Sequence, residues 1–128
     1  MILGLGTDIV EIFRMREAAQ KWGDGFLEKV FTDKEMRYSN SRRFSAQHFA
    51  ARFAAKEAVI KAFGAPKKFP LKMTEIEVLN DKEGKPVITL HGGALRLKKK
   101  KKVDNIMVTM AHSKNYAVAS AILLGGKI

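Results

Sequence analysis

Asp8, Glu57 and Lys61 are the residues whose types and spacing could do chemistry together. Glu57 and Lys61 stand four apart in FAARFAAKEAVIKAF, residues 49–63, and Asp8 interrupts the apolar opening MILGLGTDIVEI. Two carboxylates brought together in a partly dry site repel. A divalent cation between them removes the repulsion, and Mg²⁺ is commonly held by one or two carboxylates with waters and phosphate oxygens. Plainer readings stand beside this one. Glu57 and Lys61 are a favourably ordered i,i+4 ion pair, worth about 0.3–0.5 kcal/mol on an exposed helix face. Asp8 with Glu11 could cap a first helix.

Something must position these residues. At 100° per residue, Phe49, Phe53, Ile60 and Phe63 form a bulky stripe, and Ala51, Ala54, Ala55, Ala58 and Ala62 a second stripe roughly opposite. A helix apolar on both sides is buried on both. Glu57 and Lys61 then fall in the seam, roughly 40° apart, where packing on both sides is expected to bury them. The opening segment alternates as a strand over 2–9, with Gly4, Gly6 and Asp8 on one face. That glycine face suits the alanine stripe, and docking the two would bring Asp8 towards Glu57.

The rest of the chain reads as follows. Ile12, Met15, Ala19 and Trp22 recur at helical spacing, Gly23 and Gly25 punctuate, and Phe26, Leu27, Val30 and Phe31 mark a further short helix. Thr32-Asp33-Lys34-Glu35 matches a capping box that opens another. The long helix is expected over 43–63, stopped by Gly64 with Pro66 beyond and a basic loop at Lys67 and Lys68. Strands are expected over 74–78, 86–90, 106–110 and 116–124, with a short helix over 94–102. No repeat or linker divides the chain. The expected fold is α+β: one domain over residues 1–128, a mostly antiparallel sheet packed on one long helix, and several short helices.

Composition bounds the function. The 128 residues carry 24 Lys+Arg against 13 Asp+Glu, a net charge of +11, with 46% hydrophobic residues and no cysteine. That length and apolar content suit one domain with a real core. Thiol chemistry and disulfides are excluded, which fits a reducing compartment. No apolar run approaches the ~20 residues that span a bilayer, and the N-terminus lacks a basic leader, so a soluble cytoplasmic protein without membrane attachment is expected. The charge attracts polyanions without saying which. A small basic nucleic-acid-binding module is the rival class. It explains the lysine run 98–102 but not the seam position of Glu57 or the apolar flanks of Asp8, and strands with interleaved basic and aromatic residues are lacking.

Three segments, GLGTDIVEI, FAAKEAVIKAFG and VTMAHSKNYAVASA, resemble in order and separation the single-domain holo-acyl-carrier-protein synthases, which are 4′-phosphopantetheinyl transferases. The resemblance implies a Mg²⁺-dependent transfer from coenzyme A to a serine of apo-acyl carrier protein, releasing adenosine 3′,5′-bisphosphate, as part of fatty acid biosynthesis. It implies Asp8 and Glu57 as metal ligands and Lys61 as a phosphate contact. Glu57 is also implied as acceptor of the serine proton, ranked below its ligand role. His112 matches the histidine at the nucleotide end of coenzyme A, near the 3′-phosphate. Ala111 replaces the Ser or Thr of many relatives, so Ser113 is the substitute hydroxyl. Val10 stands where larger relatives have a further carboxylate. Arg52 is implied at a coenzyme A phosphate and Pro86 near the adenine, although a snorkelling guanidinium and a strand-start proline explain them equally simply. Arg14 and Lys21 are implied in docking the acidic carrier protein. The family implies a homotrimer with active sites at subunit interfaces, so that His112 serves a neighbour's metal. His48 and His91 show no metal-ligand spacing and read as structural.

Overall fold

The computed structural model describes residues 1–64 and 70–126; Pro66, Lys67 and Lys68 lie outside the described residues. The chain runs β1 (Ile2–Glu11), α1 (Ile12–Val30), α2 (Asp33–Asn40), α3 (Ser45–Ala62), a 3-10 turn (Met73–Glu75), β2 (Ile76–Asn80), β3 (Pro86–Leu90), α4 (Gly92–Lys100), β4 (Val103–His112) and β5 (Tyr116–Gly125). β1, β5 and β4 form a three-stranded sheet in that order, and β2 pairs with β3; every pairing is antiparallel. The fold is the expected α+β arrangement around one long helix.

The contact between β1 and α3 is unusually close. A Cβ built on Gly6 would overlap the Ala58 carbonyl oxygen and lie 2.7 Å from the Ala62 nitrogen; one on Gly4 would overlap the Ala62 carbonyl oxygen. Only glycine allows such an approach. The geometry is commensurate. Two strand residues advance about 6.6 Å and four helix residues about 6 Å, so Gly4 over Ala62 and Gly6 over Ala58 sets a shared register. Ala54, Ala55 and Ala58 are fully buried beneath it, and Phe49 and Phe63 are buried in the bulky stripe.

The largest departures concern charge. The buried cations of α3 are Lys56 and Arg52, not Lys61. Lys56 Nζ donates to Glu35 Oε1 (2.7 Å), Met73 O (2.8 Å) and Ile76 O (2.6 Å), which uses all three ammonium protons. Burial pushes this lysine's pKa down, and Glu35 opposes the shift. Glu35 completes the expected capping box with Thr32, and its Oε2 also accepts from Val78 N (2.8 Å). The pair therefore ties α2, α3 and β2 together. Removing one partner of such a buried pair costs about 3–5 kcal/mol.

Smaller departures have local causes. Trp22, expected on the apolar stripe of α1, is 63% exposed with Lys21 Nζ 5.0 Å from its ring, because Gly23 at φ 63° breaks the helix immediately after it. Thr74 and Glu75 were expected in a strand. Instead Glu75 closes the 3-10 turn, accepting from Lys72 N (3.1 Å) and from Gly93 N (2.6 Å) at the start of α4. Glu77 lies buried, accepting from Thr32 Oγ1 (2.5 Å) and pairing with His91 Nε2 (3.2 Å). Within the lysine run, Lys101 Nζ donates to Phe63 O (3.0 Å) and closes the end of α3. Among the described residues no helix is long and apolar enough to cross a membrane.

Gly6→Ala should cost about 3 kcal/mol, the upper end for overpacking, read as a lower urea midpoint. Gly25→Ala, inside α1 with its added carbon meeting nothing within 4 Å, should lose no stability and serves as the control.

Candidate active site

The β1–α3 register carries Asp8 alongside α3 within about one helical turn of Glu57. Both line a cavity of about 490 Å³ with Arg14, Phe53 and Tyr116. Asp8 belongs to the strand and is not a helix cap; Glu11 holds the N-cap position of α1 and makes no side-chain cap bond. Lys61 reaches across from α3, donating to Asp8 Oδ1 (2.8 Å) and Thr7 O (3.1 Å). Its ion pair is with Asp8 rather than with the i,i+4 Glu57. The expectation that Lys61 is buried is wrong: its side chain is half exposed, its ammonium reaching out to Thr7 O and Asp8 on β1.

The electrostatics match two acids held close. Burial pushes the Glu57 carboxyl above its usual range, the charge of Asp8 pushes it further, and Lys61 opposes both. The hydrogen bond from Lys61 to Asp8, and then the charge of Asp8, raise the Lys61 ammonium. Among the described residues no donor meets the Glu57 carboxylate, and no group of three or more His, Asp or Glu side chains could hold a metal. Two acidic side chains with unclaimed lone pairs on one cavity wall fit Mg²⁺, which takes few protein ligands and keeps waters.

A second cluster gathers at the other end of α3. The Arg52 guanidinium lies 4.1 Å from the Tyr38 ring centroid and donates to Asn80 Oδ1. Arg42 also faces that ring, at 4.6 Å. Tyr38 meets His48 edge-on at 5.8 Å, and His48 meets His112 at 6.1 Å. Pro86 opposes Asn80 in the β2–β3 register, so the hairpin is fastened to the same end of α3. Ser113 sits in the exposed β4–β5 turn, its N–H donating to Tyr116 O (2.8 Å). Arg52 departs from its expected place at a substrate phosphate: it is 2% exposed, and its Nε lacks a partner among the described residues. Tyr38 and Asn80, both distant in sequence, enclose it.

The two clusters do not meet within the chain. His48 and Glu57 are nine residues apart on α3, about 13 Å along its axis. Asp8 and His112 lie on the two outer strands of the sheet, about 10 Å apart across two strand spacings. Of the expected docking residues, Arg14 pairs with Glu11 (3.5 Å) on the rim of the two-acid cavity. Lys21 shares an adjoining groove with Arg14 and Trp22. Sequence reasoning did not link His48 to His112: no local spacing reports a contact between residues on α3 and β4.

Acidic side chains line one cavity, and a cation-rich array lies beyond it. Residues 4–121 match the model of the 4′-phosphopantetheinyl transferase superfamily. The holo-[acyl-carrier-protein] synthase of Clostridium tetani is 43% identical over 125 residues, 98% of each chain. The crystal structure of the Neisseria meningitidis holo-[acyl-carrier-protein] synthase superposes with a TM-score of 0.89 at 26% identity, covering 97% of this chain and 99% of that one. That of a Bacillus anthracis holo-(acyl-carrier-protein) synthase in complex with CoA (3′,5′-ADP) gives 0.79 at 31% identity, covering 98% and 99%. The chain belongs to the 4′-phosphopantetheinyl transferase superfamily, among its holo-acyl-carrier-protein synthases.

Because the folded-state pKa of Glu57 lies above its unfolded value, ionising it opposes folding. The cost is absent at low pH, grows as pH rises past the unfolded value, and is complete above the folded one. Glu57→Gln should therefore raise the Tm of the metal-free protein at neutral pH by a few degrees and show no gain below pH 4, by calorimetry.

Proposed function

We infer that the chain transfers the 4′-phosphopantetheine group of coenzyme A to a serine hydroxyl of apo-acyl carrier protein, in a Mg²⁺-dependent step of fatty acid biosynthesis. The observation that carries the reading is the pair Asp8 and Glu57 on one cavity wall with Lys61 beside them. The family membership and the relative bound to CoA (3′,5′-ADP) support it. The single domain spans residues 1–128, and the compartment is the cytoplasm.

Asp8 and Glu57 would hold the cation. When bound, it supplies positive charge to the diphosphate and makes the phosphorus easier to attack. Lys61 stays on the same side of the cavity, where an ammonium stabilises charge gathering on the departing phosphate. The serine oxygen forms a bond to the β-phosphorus as the bond from that phosphorus to the bridging oxygen breaks, and adenosine 3′,5′-bisphosphate leaves. Glu57, with its raised pKa, can take the serine proton directly or through water. Arg14, and beyond it Lys21, flank the cavity mouth and suit the acidic carrier protein. His112, supported by Ser113 and Pro86, takes the nucleotide end, with Arg52 shaping that end from within.

The separation of the two clusters supports a homotrimer. A substrate on Asp8 and Glu57 of one protomer would reach His112 of a neighbour more readily than that of its own chain. The surface supports it too. Leu5, Ile9, Met107 and Val118 are exposed on the sheet face turned away from α3. Registered rows Leu5–Ile122–Met107 and Ile9–Val118–Ala111 flank a polar row, Thr7–Ser120–Thr109. Contiguous apolar surface of this kind marks an interface.

Apo-acyl carrier protein incubated with the chain, coenzyme A and Mg²⁺ should gain one phosphopantetheine by mass spectrometry. Asp8→Asn should lower the rate about 10²- to 10³-fold, and chelation should stop it; full activity in either case would sink the metal reading. For the assembly, Leu5→Glu should convert a trimer to a monomer in sedimentation. A parent protein that sediments as a monomer at micromolar concentration rejects the trimer.

A further inference from the structure

His112 stands at the exposed end of β4, and among the described residues no hydrogen bond or ion pair holds its ring. An exposed imidazole with two free torsions loses rotamer entropy when it meets a ligand, and a fixed neighbour lowers that cost. The ring contact His112 does make is with His48, at a centroid distance of 6.1 Å and an interplanar angle of 65°. That is the tilted geometry aromatic rings prefer. His48 is itself fixed. Its backbone belongs to α3, its ring is half-buried, and Tyr38 meets its other side at 5.8 Å and 78°. Tyr38 is in turn pinned beneath Arg52, a buried guanidinium tied to Asn80. A stack of side chains thus runs from the interior of α3 outward and ends on His112.

We propose that His48 is a positioning residue, which holds the His112 imidazole in the rotamer that meets the 3′-phosphate of coenzyme A. This rests on the placement of His112 at the nucleotide end. The charges around the pair agree with it. Burial, and then the charges of Arg52, His112 and Arg42, push the His48 pKa down. That direction favours a neutral His48 ring against His112. A small side chain in its place would leave His112 loose; a planar ring would keep it in place.

The test measures transfer with coenzyme A and with dephospho-coenzyme A, which lacks the 3′-phosphate. His48→Ala should raise the KM for coenzyme A about 5- to 10-fold with kcat within twofold. His48→Phe should recover most of that loss, and the penalty of His48→Ala should fall below twofold with dephospho-coenzyme A. In a double-mutant cycle, adding His48→Ala to His112→Ala should cost nothing further. An unchanged KM, an equal penalty on both substrates, or additive losses would each overturn the proposal. Side-chain NMR gives a readout independent of transfer. His112 should occupy one χ1 rotamer in the parent and average between rotamers in His48→Ala, whereas equal averaging in both overturns the proposal. If the parent fails to transfer to any carrier protein while this NMR difference appears, it is the functional reading that falls and not the contact.

Discussion

Everything in the site depends on how closely β1 lies against α3. At Gly4 and Gly6 the helix backbone occupies the space where side chains would stand. This removes two layers of side chain from between the elements, so Asp8 and Glu57 come within electrostatic reach while anchored in regular secondary structure. Catalytic groups on a strand and a helix are held more precisely than groups on loops. The alanines make the same contribution from the helix side. A larger residue at Ala58 or Ala62 would push the strand outward and separate the acids.

The same closeness explains why charge is distributed as it is along α3. The helix is surrounded by the sheet, by α1 and α2, and by the β2 segment, so nearly every face is covered. Three of its cations face three different problems. Lys56 is enclosed, and its cost of burial is offset by a carboxylate and two carbonyls. Arg52 is enclosed with an aromatic ring and an amide, and one nitrogen is left unsatisfied. Lys61 escapes burial and pairs with Asp8 beside the cavity. The first two fix the scaffold and the third stays at its margin, all within a few turns of one helix.

How much of this was legible in the sequence follows from which signals are local. The glycine face, the two apolar stripes, the capping box at Thr32–Glu35 and the hairpin at Asn80–Pro86 each depend on residues near one another in the chain. Each was read with boundaries off by a residue or two. The approach of Asp8 to Glu57 was legible too, because two local patterns, glycine and alanine, are complementary in shape. What was not legible needed a third partner. A helical wheel sets Lys56 within the bulky stripe, roughly 140° from Lys61, but it does not show what offsets a charge enclosed there; Glu35, brought in by α2, does that. Glu75 and Glu77 alternate like strand residues, yet the amides of α4 and the hydroxyl of Thr32 claim them. Trp22 fits the stripe by spacing, and a single left-handed glycine turns it outward.

The distance between the two clusters is the point on which fold and assembly converge. Moving His112 to the acids within one chain would require β4 to cross β5, which the antiparallel register forbids. The sheet instead presents its outer face as two apolar rows with a hydroxyl row between them, where Thr7 Oγ1 and Ser120 Oγ lie 2.6 Å apart. A purely apolar face would associate with any other apolar surface, whereas a central line of hydroxyls must find donors and acceptors at matching positions or lose its hydrogen bonds to water. The sheet that keeps the His112 cluster away from the acids in one chain is thus the same element that exposes these rows on its outer face.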